Sequence, residues 1–501
     1  MTTSSPDSRP SVHPRRLFNA SCFALIATSV CFGVIGASMG GLKQEFLLSN
    51  EMVGWIGGAA LWGFTISIFV LGPLVDSMGM RNQMWFAFAC HLAGALIMIF
   101  AQNFTFLFLG ALVLSLGNGT VEAVCNPLVA TIYPDKKTEK LNQFHVWFPG
   151  GIVIGALASY FLDGIGLTDW RLKIGLIMVP TLVYGYLMSG QVFPETERKA
   201  SGISFGGMLQ GAFGRPLFWV LLFCMALTAS IELGPNRWIP AVLEAGGIPG
   251  ILVLAYISGL MAVLRYFAGP VVERFSPTGL LLISAILSGV GLYWFSFAET
   301  LVVAFLSATV FAVGVCYFWP TMLGVTSERI PRSGALGLSM MGGMGMLAVG
   351  LLTSPMIGKV ADGHLHQALS AAETLAALGP VSVEYPKLAA DLPAVRQQEV
   401  AGAAKLAGQV LSDHASTGNL PEGTTAAALR AALVNMPPGA EPLVAAIKPL
   451  IGHADNLGGR MAFRYVAPFS LILVAIFGFL FLRDLRTGGY RQEKILDQKQ
   501  K

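Results

Sequence analysis

The chain has 501 residues, 54% hydrophobic and 12% charged, against about 25% charged in a soluble domain. That excludes a water-soluble fold and, with 58 glycines, points to a polytopic membrane protein in which small residues let helices approach closely. A formal net charge of +4, dispersed among loops, makes no basic face for nucleic acid.

A helix crossing a hydrocarbon core of about 30 Å needs about 20 mostly apolar residues. After a polar stretch through Arg16, such runs fall at Phe18–Met39, Met52–Val75, Met84–Ala101, Phe104–Ile132, Phe144–Leu162 and Leu172–Phe193. A polar stretch, Pro194–Arg215, follows, and then come Pro216–Pro240, Ile251–Val272, Thr278–Phe297, Leu301–Leu323, Gly334–Gly358 and Ala462–Leu482. The first run is full-length and lacks the short apolar core and cleavage site of a secretory signal, so it reads as a retained anchor. Twelve spans predict an all-α integral membrane fold in two six-helix halves: residues 1–193, a linker 194–215, residues 216–483 and a tail 484–501.

Lysine and arginine are retained on the cytoplasmic side of short loops. An inside N-terminus puts Arg9, Arg15, Arg16, Arg81, Lys136, Lys137, Lys140, Arg198, Lys199, Arg215, Arg274, Arg329, Arg332 and the tail from Arg483 there. The opposite short loops offer little beyond Lys43, Arg171 and Lys173. Both termini are therefore expected in the cytoplasm of a cell bounded by this membrane.

The segment Asp362–Gly459 is alanine-rich, carries Asp391, Arg396, Glu399, Lys405 and Asp413, and has no spanning run. Helical spacing of Ala403, Leu406 and Val410, punctuated by Pro380, Pro386, Pro421, Pro437, Pro438 and Pro442, predicts short amphipathic helices in an extracytoplasmic insert (362–459). His364 and His366 without a cysteine or a second cluster read as surface histidines, and the six cysteines lie singly in apolar runs, so no metal site is expected. Gly202–Gly206 matches GxSxG and Gly343-Met344-Gly345 loosely resembles a dinucleotide loop, but neither has the strand context such motifs need. No enzyme, cofactor or ATP site is expected. The pairs Gly36/Gly40, Gly54/Gly58 and Gly151/Gly155 read as grooves for helix contact.

The loop after the second span reads Gly72-Pro73-Leu74-Val75-Asp76-Ser77-Met78-Gly79-Met80-Arg81, and a degenerate copy, Gly269-Pro270-Val271-Val272-Glu273-Arg274, follows the eighth. Through Gly72, Asp76, Gly79 and Arg81 it resembles the signature loop of the major facilitator superfamily, and Ser77 and Met80 depart from that pattern. The resemblance implies the major facilitator fold, with the two acid–base loops latching the halves on the cytoplasmic side. In the fourth and fifth spans, Gly117-Asn118-Gly119-Thr120-Val121-Glu122-Ala123-Val124-Cys125-Asn126-Pro127, Tyr133-Pro134 and Leu141-Asn142 resemble the fucose/galactose/glucose–proton symporter group. In that group the acid before Asn-Pro is tied to substrate and proton, which implies such a role for Glu122. The group also carries an acid in its first span, whereas Cys22–Leu42 has none.

An ionisable side chain at mid-bilayer costs about 2.5–3.5 kcal/mol on insertion scales and marks a cavity or a partner. Glu122, Glu232 and Arg265 are the strongly charged residues well inside the predicted spans. Glu232 is followed by Gly234-Pro235-Asn236-Arg237-Trp238, a composition that predicts a broken helix lining a cavity. Arg265 is its expected counter-charge, as a fixed ion pair or as a gating pair. Trp62, Trp147, Trp238 and Trp319 offer faces to a sugar, and Asn118, Asn126, Gln143 and Asn236 offer hydroxyl partners. His145 is a cavity candidate beside Trp147, and His91 a helix-contact histidine. The expectation is a secondary transporter moving a small polar solute, a sugar, with a proton by alternating access. Transport of another small organic solute, and a sensor built on the insert, are its alternatives.

Overall fold

A computed structural model describes residues 12–46, 48 and 50–495, and every regular element among them is helical. Arg9, the tail beyond Ile495 and the side chain of Lys43 lie outside the described residues. Ten described helices are long and apolar enough to cross a bilayer, and an eleventh forms if Gly250–Tyr266 and Ala268–Phe275, bent by 67°, are one span. A shorter apolar helix at Trp55–Leu71 occupies the second position. Each predicted apolar run is therefore helical, and exposed Leu157, Phe161, Val302, Leu471 and Phe479 suit a lipid surround.

Several elements depart from expectation. The seventh span does not break at Gly234-Pro235; it runs unbroken over Pro216–Ala245 with Pro235 and Pro240 inside it. A proline removes one backbone donor, and packing against a neighbour can carry the helix past the gap. Here the eleventh span supplies that neighbour through a π-helical turn, Val349–Thr353. Thr353 Oγ1 donates to Ser230 Oγ at 2.6 Å, and a Cβ on Gly234 would lie 2.7 Å from Thr353 Cγ2. Of the three glycine pairs, Gly151/Gly155 forms a groove: a Cβ on Gly151 would lie 1.9 Å from Ser29 Oγ, and one on Gly155 3.1 Å from the Val30 carbonyl. Space around Gly36 is open, and a Cβ on Gly58 would first meet Trp62 of its own helix; the surroundings of their partners Gly40 and Gly54 lie outside what is described.

The eleventh span continues to Ala368 and the twelfth begins at Ile447, so the insert is narrower than predicted and stands on these two helices. Of its own helices, Ala371–Leu388 and Ala394–Thr417 are longer than expected, with Pro380 and Pro386 inside the first, while Thr424–Val434 and Glu441–Val444 are short. They enclose a separate apolar core that includes Leu378, Val381, Tyr385, Val400, Val410 and Leu429. Asn456 donates to the Val242 carbonyl at 2.7 Å and Arg460 meets Glu299 at 2.9 Å, fixing the base to the second half. His364 lies 3.4 Å from the Tyr465 hydroxyl, and no group of three His, Cys, Asp or Glu suited to a metal occurs among the described residues. Because the insert has its own core, replacing residues 370–446 with a short linker is expected to leave a folded, transporting body. Loss of flux at normal membrane abundance would assign the insert an essential role instead.

Candidate functional site

The fourth span can approach the second because a Cβ at Gly119 would fall 2.2 Å from the Phe64 carbonyl. Glu122, one turn on, is buried. Its Oε2 accepts from Asn126 Nδ2 at 2.7 Å, and the same amide donates to the Glu122 carbonyl at 2.8 Å. A short helix, Lys137–Phe144, ends at His145 just before the fifth span begins at Trp147, and this turn aims the imidazole at the fourth span. His145 Nδ1 lies 3.0 Å from the Leu141 carbonyl and Nε2 lies 3.5 Å from Glu122 Oε2.

These contacts constrain the proton count. A carbonyl only accepts, so Nδ1 carries the hydrogen, and neutral imidazole then presents a bare lone pair at Nε2. Two lone pairs facing each other in a buried site repel. A proton on Nε2 or on Oε2 removes the conflict.

The second half supplies the other side of the site. Arg265 NH2 donates to Glu232 Oε1 at 2.9 Å, NH1 donates to the His145 carbonyl at 3.1 Å, and Nε donates to the Cys316 carbonyl. One guanidinium thus joins a carboxylate of its own half to a backbone oxygen of the other. Glu122, His145, Phe148, Glu232, Leu233, Arg265, Trp319 and Met346 enclose a cavity of about 20 Å³, room for about one water. His145 Nε2, Glu232 Oε2 and Asn126 Oδ1 are buried without a hydrogen-bond partner. Unmet polar atoms around a closed space suit a polar guest, but this conformation is too tight for a sugar.

Five of the predicted residues therefore converge: Glu122, His145, Glu232, Arg265 and Trp319, with Asn126 holding Glu122. The remaining candidates do not line this cavity. Asn118 Oδ1 lies 2.9 Å from His91 Nε2, whose Nδ1 meets the Tyr184 hydroxyl at 3.0 Å, so Asn118 is spent inside the first half. Gln143 and Trp147 line a larger, mostly apolar cleft beside the first and sixth spans. Gln143 also bonds Lys140 at 2.7 Å. Trp238 packs against Gly358, Asn236 keeps an unpaired Oδ1 outside the cavity, and Trp62 is exposed beside Trp55.

At the end of the bundle carrying both termini, the halves are drawn together. A Cβ on Gly72 would lie 1.9 Å from Ser339 Oγ of the eleventh span. Asp76 is buried against Arg198 and Thr196 of the linker, and Gly79 takes a positive φ of 81°. The latch therefore runs from the signature loop to the linker. Glu273 of the second copy reaches only exposed Lys136 at 4.0 Å, while Arg81 and Arg274 are exposed.

Stronger cross-half bonds come from residues that sequence reasoning treated as topology markers or passed over. Glu328 Oε1 accepts from Thr138 N at 3.0 Å and from its Oγ1 at 2.8 Å, and Asn142 donates to Thr321 at 3.2 Å. Lys137, almost fully buried, pairs with Glu197 at 2.6 Å. A signal existed: Thr138 and Asn142 share one face of a helix, as do Thr321, Gly324 and Glu328.

Comparisons with known proteins agree with this architecture. The chain is 26% identical over 197 residues to Polyol transporter 5 of Arabidopsis thaliana and 28% identical over 173 residues to the glucose transporter GlcP of Staphylococcus epidermidis. Those matches cover 38% and 33% of this chain, and 36% of each relative, so the chain spans about a third of their length. A putative niacin/nicotinamide transporter, NiaP of Bacillus subtilis, is 20% identical over 370 residues, covering 71% of this chain and 90% of NiaP. Among solved structures, the E. coli fucose:proton symporter FucP superposes with a TM-score of 0.58 at 17% identity, over 69% of this chain and 92% of FucP. The proton:xylose symporter XylE gives 0.57 at 14% identity, over 83% and 98%. The sequence profile of the Major Facilitator Superfamily matches residues 21–378; this chain is a member of that superfamily, a multi-pass membrane protein.

Proposed function

We propose that the chain is a secondary transporter that carries a small polar solute, a sugar, together with a proton by alternating access. Its place is the cell membrane, with both termini and the linker in the cytoplasm and the insert outside. The observation carrying this reading is the buried Glu122–His145 contact, 3.5 Å long, whose geometry calls for a proton at the boundary between the halves. Arg265 links that contact to Glu232, so a change of protonation in the first half is felt in the second. Trp319 in the cavity wall suits the C–H face of a sugar, and several relatives are named for sugars or polyols. Opening the closed end would enlarge the cavity and expose its unmet polar atoms to the solute.

A panel of labelled sugars in proteoliposomes, with and without an imposed proton gradient, tests the reading. Accumulation of one sugar against its gradient, collapsed by a protonophore, is the expected result. A second reading, transport of a non-sugar organic solute, draws on NiaP, 90% of whose length this chain covers. Nicotinic acid therefore belongs in the panel, and its selective accumulation would replace the sugar. Binding without flux would instead favour a sensor.

A further inference from the structure

The described part of the tail beyond the twelfth span, residues 487–495, stays against the protein. The helix Phe469–Arg486 is followed by Gly488 and Gly489, with φ of 88° and 99°. This left-handed pair is open to glycine and strained for other residues. The turn closes through Gly489 N donating to the Asp484 carbonyl at 2.8 Å, and it sends the chain back beneath the closed end of the bundle.

Tyr490, Gln492, Glu493 and Ile495 then find anchors on the bundle. The Tyr490 hydroxyl donates to Glu328 Oε2 at 2.7 Å, and the Arg329 guanidinium lies 4.2 Å from the centre of its ring. Gln492 Nε2 donates to the Pro134 carbonyl at 2.8 Å, a contact with the first half. Glu493 pairs with Arg215, where the linker meets the seventh span, at 2.7 Å, and its backbone N–H donates to the Glu328 carbonyl at 2.8 Å. Ile495 is buried. Glu328 is the knot: one carboxylate oxygen holds Thr138 of the first half and the other holds the tail. Burial and the Glu328 charge hold the Tyr490 hydroxyl well above the usual phenol range, so it remains a donor.

We propose that residues Gly488–Ile495 form a strap that fastens the closed terminal end of the bundle and must be released before that end opens. The inference rests on the alternating-access reading above. Separating the halves at this end pulls Pro134 and Thr138 away from Glu328 and Gln492. The strap is then either torn from the first half or has already let go. Its contacts suit release: the Arg215–Glu493 pair is about a third exposed on each side, and exposed ion pairs are individually weak. Together with the hydrogen bond from Gln492 to the Pro134 carbonyl of the first half, these contacts bias the equilibrium toward closure.

The test reads conformation rather than flux, so it is separable from the identity of the solute. Ala335, nearly fully buried, lies with Pro127 and Lys137 of the first half around a small cavity at this end. Ala335→Cys is made in the full chain, in a chain lacking residues 490–501, and in a Tyr490→Phe/Gln492→Ala chain. Modification by a small thiol reagent is timed in proteoliposomes, with the background of the native cysteines subtracted. Removal of the tail is expected to raise the modification rate about threefold or more, the scale of one net hydrogen bond, at an unchanged melting temperature. Modification at the parent rate overturns the proposal. Should the truncated chain not fold, the double substitution is judged by the same two outcomes.

Discussion

Glu122→Gln is expected to abolish accumulation while leaving exchange of solute across the membrane. Glutamine retains the shape of the side chain and an oxygen to accept from Asn126, which stands 2.7 Å from the native carboxylate. The same oxygen, Oε2, faces His145 Nε2 at 3.5 Å, so that position holds either the glutamine oxygen, toward Asn126, or its amide nitrogen, toward His145, and neither group releases a proton. Position 122 is then neutral and has no proton to exchange. Solute moving through it would equilibrate, and an imposed proton gradient would drive nothing. Glu122→Ala removes the side-chain acceptor as well, leaving the Asn126 amide only the backbone carbonyl of residue 122 and His145 no facing group, and is expected to impair exchange too. Paired measurements of gradient-driven uptake and counterflow check both variants. A Glu122→Gln protein that accumulates solute like the parent removes Glu122 from the coupling step, and Glu232 becomes the carboxylate to test.

Arg265→Met is expected to destabilise the fold by about 3–5 kcal/mol, because removing one partner of a buried ion pair strands the other. Glu232 would keep its charge or take up a proton with no guanidinium within reach, in a site closed to solvent. The double substitution Arg265→Met/Glu232→Gln removes both charges and is expected to recover most of that stability, visible as a restored melting temperature in detergent. Transport is not expected to return. Arg265 also holds the carbonyls of His145 and Cys316, and through the first of these it ties the proton site to the second half. A double variant with both normal stability and normal flux would reduce the pair to a fixed structural contact.

The sequence carried the fold further than the site because the two rest on different signals. Span length and apolar runs are local, and helices occur at every predicted run. The breaks were harder to place. Pro235 looks like a terminator until Thr353 and a π turn from a distant span are set against Gly234 and Ser230. Pro380 and Pro386 likewise sit inside a helix of the insert, whose core is shared with its neighbouring helices. Buried charge singles out Glu122, Glu232 and Arg265 because each needs a partner wherever it lies, and the structure places the three around one cavity. Neutral candidates carried no such demand. Asn118 answers His91 within the first half, and Trp147 turns to the lateral cleft, facts set by which helix faces meet. The closed end was least legible. Lys137, Arg198 and Glu328 were weighed, if at all, as charges retained on one side of the membrane. The same side chains bind the halves and linker to one another.

The central claim is that solute and proton cross together through the Glu122–His145 site. Adding the transported sugar to lightly buffered proteoliposomes, with no gradient imposed and charge compensated by an ionophore, tests it most directly. Parent protein in symport carries protons inward with the sugar, so the external medium should turn alkaline on sugar addition, while Glu122→Gln should take up sugar with no pH change. Sugar entry through the parent without alkalinisation, or an equal alkalinisation with Glu122→Gln, would contradict the account.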